Sequence, residues 1–312
     1  MKLLTIKAGP LTTVQDQGRF AAAHLGFPPS GAMDQYHYRL ANWLVGNVAE
    51  EPCLELTLSG GWWRAEGEVT AALCGAPMAM EVNGHSQPLN TSFRLESGDE
   101  LRIGPCHQGW RAYLALGGAW DVPRPWGSAS VHLASGVGER LRAGEGIAVG
   151  SRPSGPPRTL PGHLLRRVEA QRPCILRFAS GPEWHHLTLT SQRYFQQQAY
   201  TLLPQSDRMG ARFQAQEALA TSGFEMLSSP VLPGIIQLPP SGQPIVLLRD
   251  AQTVGGYPRL GKVAEVDLNR LAQLRPGEEV RFLPIGWDEM ARLKGWEERI
   301  FEALFGLGRP KG

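Results

Sequence analysis

Four cysteines are all that the 312 residues contain, at positions 53, 74, 106 and 174. They form no C-x-x-C pair and match no zinc-ligand spacing. A disulfide framework and a cysteine metal site are therefore excluded, and reduced, buried thiols are expected. An excess of one charge is also missing, since 31 Lys and Arg stand against 29 Asp and Glu for a net charge of +2. That balance gives no strong pull toward nucleic acid or an anionic membrane. No apolar run approaches the ~18 residues that cross a bilayer. The opening MKLLTIKAGP has too short an apolar stretch for a signal peptide. A cytoplasmic protein with neither nucleic-acid nor membrane partners is the expectation.

Familiar catalytic motifs are absent as well. No G-x-x-x-x-G-K-[ST], G-x-S-x-G or H-E-x-x-H occurs, which removes the P-loop, the nucleophile elbow and the helical zinc site. Glu183-Trp-His-His186 does not replace the last of these, because neighbouring side chains of a strand point to opposite faces. A structural role is the better reading for it.

Glycine and proline are plentiful, 37 and 25 residues, about a fifth of the chain against a usual ~12%. With no low-complexity repeat, that excess predicts many tight turns between short strands. Three segments share one pattern: 97–103, 143–149 and 276–282 each place a Gly-acid turn before residues alternating with period two. Each predicts a turn feeding a half-buried strand. Further strands are expected at 54–58, 69–73, 111–116, 174–178, 244–248 and 263–266. Helices are few, at 34–45, 191–198, 268–274 and 287–305, the last with Met290, Leu293, Ile300, Leu304 and Phe305 along one stripe. The fold class is mainly β with few helices, closed or sandwiched rather than built from βαβ units.

Residues 151–172 break both periods with four prolines and five arginines. The segment reads as an exposed linker and puts a domain boundary near residue 160. The organisation expected is a β-rich domain at 1–155, a linker at 156–172, a second β-rich domain at 173–286, and an amphipathic helix and tail at 287–312.

The polar residues that invite chemistry gather at turns. Ser241, Gln243, Asp250, Gln252 and Tyr257 flank the apolar run at 244–248, where a rigid strand presents them. The tetrapeptide Pro-Pro-Ser-Gly at 239–242 recurs at 28–31, where Ser30 stands beside Asp34, with Asp16 and Arg19 upstream. Carboxylate with guanidinium can orient a planar carboxylate or amide, or it can simply clamp a turn. Asp34 also suits a helix N-cap. Ser206-Asp-Arg-Met-Gly210 sets Asp207 and Arg208 before a glycine and can offer backbone N–H groups and a guanidinium to an anion. These residues alone leave the reaction open.

Seven motifs stand in order: TTVQDQGR at 12–19, GFPPSGAMD at 26–34, LANWLVGN at 40–47, LELTLSGG at 54–61, RAYLALGGAWDVP at 111–123, SDRMGARF at 206–213 and PPSGQPIVLLRDAQTVGGYPR at 239–259. From about Leu3 to Phe282 the chain resembles the family of 5-oxoprolinase C subunits, within the allophanate hydrolase subunit 2 and biotin-dependent carboxyltransferase-like proteins. The resemblance implies two cyclophilin-like β-barrel domains and partnership with subunit-B-like and subunit-A-like proteins. Together these carry out ATP-dependent opening of 5-oxoproline to L-glutamate, with ATP held by the complex and the isolated chain inactive. Two other readings come with it. One is the carboxyltransferase component of a biotin-dependent urea or amide carboxylase, and the other is a non-enzymatic regulator of a kinase inhibitor. The sequence departs from the family at Gly127-Ser-Ala-Ser-Val131 and Thr253-Val-Gly-Gly-Tyr257, where Gly-Ser-Arg-Ser-Thr and Thr-Thr-Gly-Gly-Tyr are usual.

A small lactam or amide substrate needs an Arg for its carboxylate, donors for its carbonyl and an acceptor for its N–H. Asp250, Asp207 and Asp16 are the expected catalytic residues, with Asp250 as acceptor or general base. Arg19, Ser30, Asp34, Arg208, Ser241, Gln243, Gln252 and Tyr257 are expected to bind substrate in a cleft common to both motif sets.

Overall fold

All three Gly-acid turns feed strands. They are Glu100–Cys106, Gly146–Val149 and Glu279–Pro284. The computed structural model describes residues 1–150, 155–165, 173–223 and 226–306. Its chain divides into two units, one of Met1–Ala21, Ser30–Glu169 and Ala303–Gly312, the other of Ala22–Pro29 and Ala170–Glu302.

The first unit is built from two antiparallel sheets. One runs in the order Trp120–Asp121, Gly146–Val149, Lys2–Ala8, Ser59–Glu66, Glu100–Cys106, Met78–Val82, His85–Ser86. The other runs Leu11–Gln15, Cys53–Thr57, Arg111–Leu116, Val69–Gly75, Ser92–Leu95. Inward residues of both, among them Leu3, Leu54, Leu56, Trp63, Leu73, Leu101 and Leu114, form one apolar cluster. Burying each such side chain stabilises the fold by roughly 1.5–3 kcal/mol relative to leaving it in water. Strand Arg111–Leu116 is buried along its whole length because helix Gln35–Leu44 covers its other face. Asp34 caps that helix by accepting from His37 N at 3.1 Å, and Gly46, at φ 76°, ends it.

The second unit closes as a barrel in the order Cys174–Ser180, Arg259–Val263, Ile235–Gln237, Ile245–Leu247, Gly210–Gln214, Tyr200–Leu202, Glu279–Pro284. Parallel pairing of the last strand with the first completes the ring. Phe178, Phe195, Tyr200, Phe213 and Phe282 fill it, with the Phe195 and Phe282 rings stacked at 4.6 Å. Helix Trp287–Phe305 has the predicted bounds, and its Met290 and Leu293 pack on Ala179, Ala264 and Val266.

The mainly β class with few helices stands. Two local expectations do not. The strand expected at 263–266 stops at Val263, and helix Glu265–Leu271 starts there instead. Glu265 and Asp267 in its first turn suit the positive end of the helix dipole, a signal that outweighs the short apolar run. The described part of the Pro/Arg-rich segment is also no free linker. Leu160 and Leu164 are buried, Thr159 bridges to Thr91, and the Tyr36 hydroxyl donates to the Leu164 carbonyl at 2.9 Å. The rest of that segment, 151–154 and 166–172, and the tail from 307 lie outside the described residues. All four cysteines are buried and free, and burial pushes the Cys174 thiol up to about 12.

Candidate functional site

Each unit gathers its own set of the expected residues. In the first, strand Leu11–Gln15 hands the chain to Asp16, a buried residue. Asp16 Oδ1 accepts from Gly18 N at 2.8 Å, Ser128 Oγ at 2.6 Å and Ser130 Oγ at 2.5 Å, while Oδ2 accepts from Ala129 N at 2.6 Å. Four donors saturate an ionised carboxylate. The catalytic role expected of Asp16 therefore gives way to a positioning one: it rivets residues 128–130 to the loop after the strand. Arg19 is buried and donates from Nη2 to the Ser130 carbonyl, so it too holds this loop and is not open to a substrate anion.

Ser30 sits in the left-handed region at φ 53° and is fully buried, its hydroxyl without a hydrogen-bond partner among the described residues. Gly31 follows at φ 94°, where a Cβ would stand 2.8 Å from the Gln17 carbonyl oxygen. The second Pro-Pro-Ser-Gly differs. There only the glycine, Gly242, has positive φ, and its N–H closes a turn onto the Pro239 carbonyl at 3.0 Å. The repeated tetrapeptide is thus not a repeated structure, because its neighbours impose different turns.

Asp34 belongs to a buried network that sequence reasoning missed. Its Oδ2 lies 2.6 Å from His37 Nδ1, and its backbone N donates to the Tyr113 hydroxyl at 2.8 Å. Tyr113 donates in turn to Glu55 Oε2 at 2.9 Å, which also accepts from Met33 N at 2.8 Å. Burial, then the Glu55 and Asp34 carboxylates, push the Tyr113 phenol well above its ordinary value. The available signal was a carboxylate, Glu55, and a phenol, Tyr113, inside otherwise apolar strands. A buried polar group of that kind needs partners.

In the second unit the arrangement centres on Arg208 and Asp250. Arg208 Nε donates to Asp250 Oδ2 at 2.8 Å and Nη2 to Oδ1 at 3.1 Å. Asp207 is exposed and its Oδ1 accepts from Met209 N at 2.8 Å and Gly210 N at 3.1 Å. The anion-binding loop expected at 206–210 therefore turns its donors inward, onto its own Asp207 and onto Asp250. Asp207 thus organises a turn through Oδ1. Gln243 is spent on the backbone, accepting from Ala215 N at 2.9 Å and donating to the Ala215 carbonyl at 3.3 Å. Ser241 and Gln252 are exposed.

Tyr257 is exposed. With Leu219, Thr221, Met226, Leu238, Pro239 and Pro240 it lines a cleft of about 610 Å³. Glu183 pairs with Arg259 through two hydrogen bonds at 2.8 and 2.7 Å, a structural use of the Glu-Trp-His-His segment. That hydrogen bonding holds the Glu183 carboxyl below its ordinary value.

A family described as carboxyltransferase domain, subdomain A and B, matches residues 25–284. The chain belongs to this carboxyltransferase family. Among its relatives, the 5-oxoprolinase C subunit of Escherichia coli (strain K12) is 35% identical over 97% of each chain. The protein of the same name in Haemophilus influenzae is 32% identical over 94% of each. The crystal structure of Kluyveromyces lactis urea amidolyase matches 97% of this chain with a TM-score of 0.88 at 26% identity, and this chain covers 20% of it. The carboxyltransferase fold thus occurs both as a separate subunit and as one part of a long enzyme.

Proposed function

We propose that this carboxyltransferase-family chain is the C subunit of an ATP-dependent 5-oxoprolinase. It acts in the cytoplasm with subunit-A-like and subunit-B-like proteins to open 5-oxoproline to L-glutamate, and alone it is inactive. One observation carries the reading. The match to the 5-oxoprolinase C subunit of Escherichia coli spans 97% of both chains, whereas the urea amidolyase match takes up only 20% of that chain.

5-Oxoproline presents a carboxylate, a ring carbonyl and a ring N–H. The planar Arg208 fork suits the carboxylate through paired hydrogen bonds. As the fork turns from Asp250 to the substrate, Asp250 is left to accept the ring N–H or to act as general base. Asp207, fixed in its turn, keeps Arg208 in reach. The 206–210 loop spends the Met209 and Gly210 N–H donors internally, and ATP is held by the complex.

The biotin-dependent reading keeps one support, the likeness to urea amidolyase. Tagged chain recovered from its host tests the two together. Capture of A-like and B-like partners, with glutamate released from 5-oxoproline and ATP, is expected. Capture of a biotin carboxylase, with ATP turnover driven by urea, would overturn it.

A further inference from the structure

The chain has five asparagines, at 42, 47, 83, 90 and 269, and only Asn83 precedes a glycine. The others precede Trp, Val, Thr and Arg. Strands Met78–Val82 and His85–Ser86 pair with Val82 opposite His85, so Asn83-Gly84 is the whole of a two-residue hairpin turn. Its φ values of 51° and 80° fit the type I′ turn, for which Asn-Gly is the preferred pair. Both residues are exposed.

Asn83 does more than turn the chain. Its Nδ2 donates to Asp99 Oδ1 at 2.7 Å, and its Oδ1 accepts from Glu100 N at 2.9 Å. Its backbone N donates to the Glu100 carbonyl at 3.0 Å. Asp99 is the acid of the turn that feeds strand Glu100–Cys106, and its Oδ2 accepts from Glu96 N at 2.8 Å. One side-chain amide therefore ties the hairpin turn to the turn beside it. Only an amide can do so, since a carboxylate has no proton to give Asp99.

We propose that Asn83 is a site of spontaneous deamidation, and that the modification releases this clamp. The backbone nitrogen of Gly84 attacks Asn83 Cγ. A new N–Cγ bond forms, the Cγ–Nδ2 bond breaks, and the Gly84 N–H proton ends on the departing nitrogen, which leaves as ammonia. Water then opens the five-membered imide to aspartate or isoaspartate, and nothing is oxidised or reduced. Gly84 carries no Cβ to obstruct the ring closure. The Glu100 N–H polarises the Cγ carbonyl and stabilises the charge its oxygen gains under attack. Both bonds of the clamp lie at the surface, where water competes and they open readily. The aspartate product sets its carboxylate against that of Asp99, and like charges repel. The isoaspartate product lengthens the main chain inside a two-residue turn.

The test is peptide-mapping mass spectrometry of the full chain after storage at mildly alkaline and at mildly acidic pH. Asn83 is expected to convert about tenfold faster than any other asparagine, a barrier difference of about 1.4 kcal/mol. Conversion is expected to be faster in alkali, where the attacking nitrogen loses its proton more readily. In fresh protein, Asn83→Asp is expected to lower the melting temperature by about 2–4 °C. Adding Asp99→Asn should restore most of that loss, because donor and acceptor are then exchanged. Conversion of Asn83 no faster than of the other asparagines, an unchanged melting temperature in Asn83→Asp, or no recovery in the double variant would overturn the proposal.

Discussion

Arg208 closes on Asp250 through two parallel hydrogen bonds, and the backbones are tied as well, Asp250 N donating to the Arg208 carbonyl at 2.9 Å. Their side chains are 12% and 8% exposed. Asp250 stands just past strand Ile245–Leu247 and Arg208 just before strand Gly210–Gln214, so the barrel fixes the pair more firmly than a free loop would. Each carboxylate oxygen already accepts from Arg208, so a substrate competes with the guanidinium for Asp250.

Asp250→Asn tests that exchange. Asparagine keeps the shape and one acceptor for Arg208, so the fold and partner binding are expected to hold, with a lower melting temperature from the broken ion pair. Activity of the assembled complex is expected to fall on the order of a hundredfold, the scale of a lost acid–base group. Unchanged turnover would remove Asp250 from the chemistry.

Asp16→Ala is expected to act on stability instead. It leaves the donors of Gly18, Ser128, Ala129 and Ser130 without their acceptor, at a cost of about 3 kcal/mol or more, read as a lower denaturant midpoint. Full stability with lost activity would return Asp16 to a catalytic role.

The contrast between these two aspartates marks the limit of sequence reading. Period-two alternation and Gly-acid turns made the strands legible because they record which face meets the core. The bounds of helix Trp287–Phe305 followed from its stripe in the same way. Position near a turn could not separate Asp16 from Asp250, because their roles depend on partners far away in sequence: Ser128 and Ser130 for one, Arg208 for the other. Glu55 and Tyr113 were passed over for a related reason. A polar residue inside an apolar strand gives no hint of its partner until the sheet is assembled.

Ser30→Gly is expected to raise stability by up to about 1 kcal/mol, because the left-handed φ of 53° strains any residue with a Cβ. Thermal melting measures it. If the hydroxyl also meets substrate, KM of the complex should rise in the same variant. A fall in melting temperature would show that the hydroxyl stabilises the turn.

Acid should weaken the second unit through Glu183. Its folded carboxyl lies below the ordinary value of 4.5, chiefly through the hydrogen bond from Arg259. A depressed carboxyl contributes stability that is fully present above its unfolded value and is lost as pH falls through the folded one. Glu183→Gln should therefore flatten the stability profile below about pH 4.5 and lower it above. Parallel profiles for wild type and variant, measured by denaturant titration at each pH, would contradict the pair's contribution.

The central claim is that this chain is an indispensable part of a 5-oxoproline-opening complex. The most direct measurement is glutamate release from 5-oxoproline by three purified proteins, this chain with its A-like and B-like partners, assayed with each component omitted in turn. The account predicts ATP-dependent glutamate only when all three are present, and none from this chain alone. Undiminished release by the two partners without it would contradict the account.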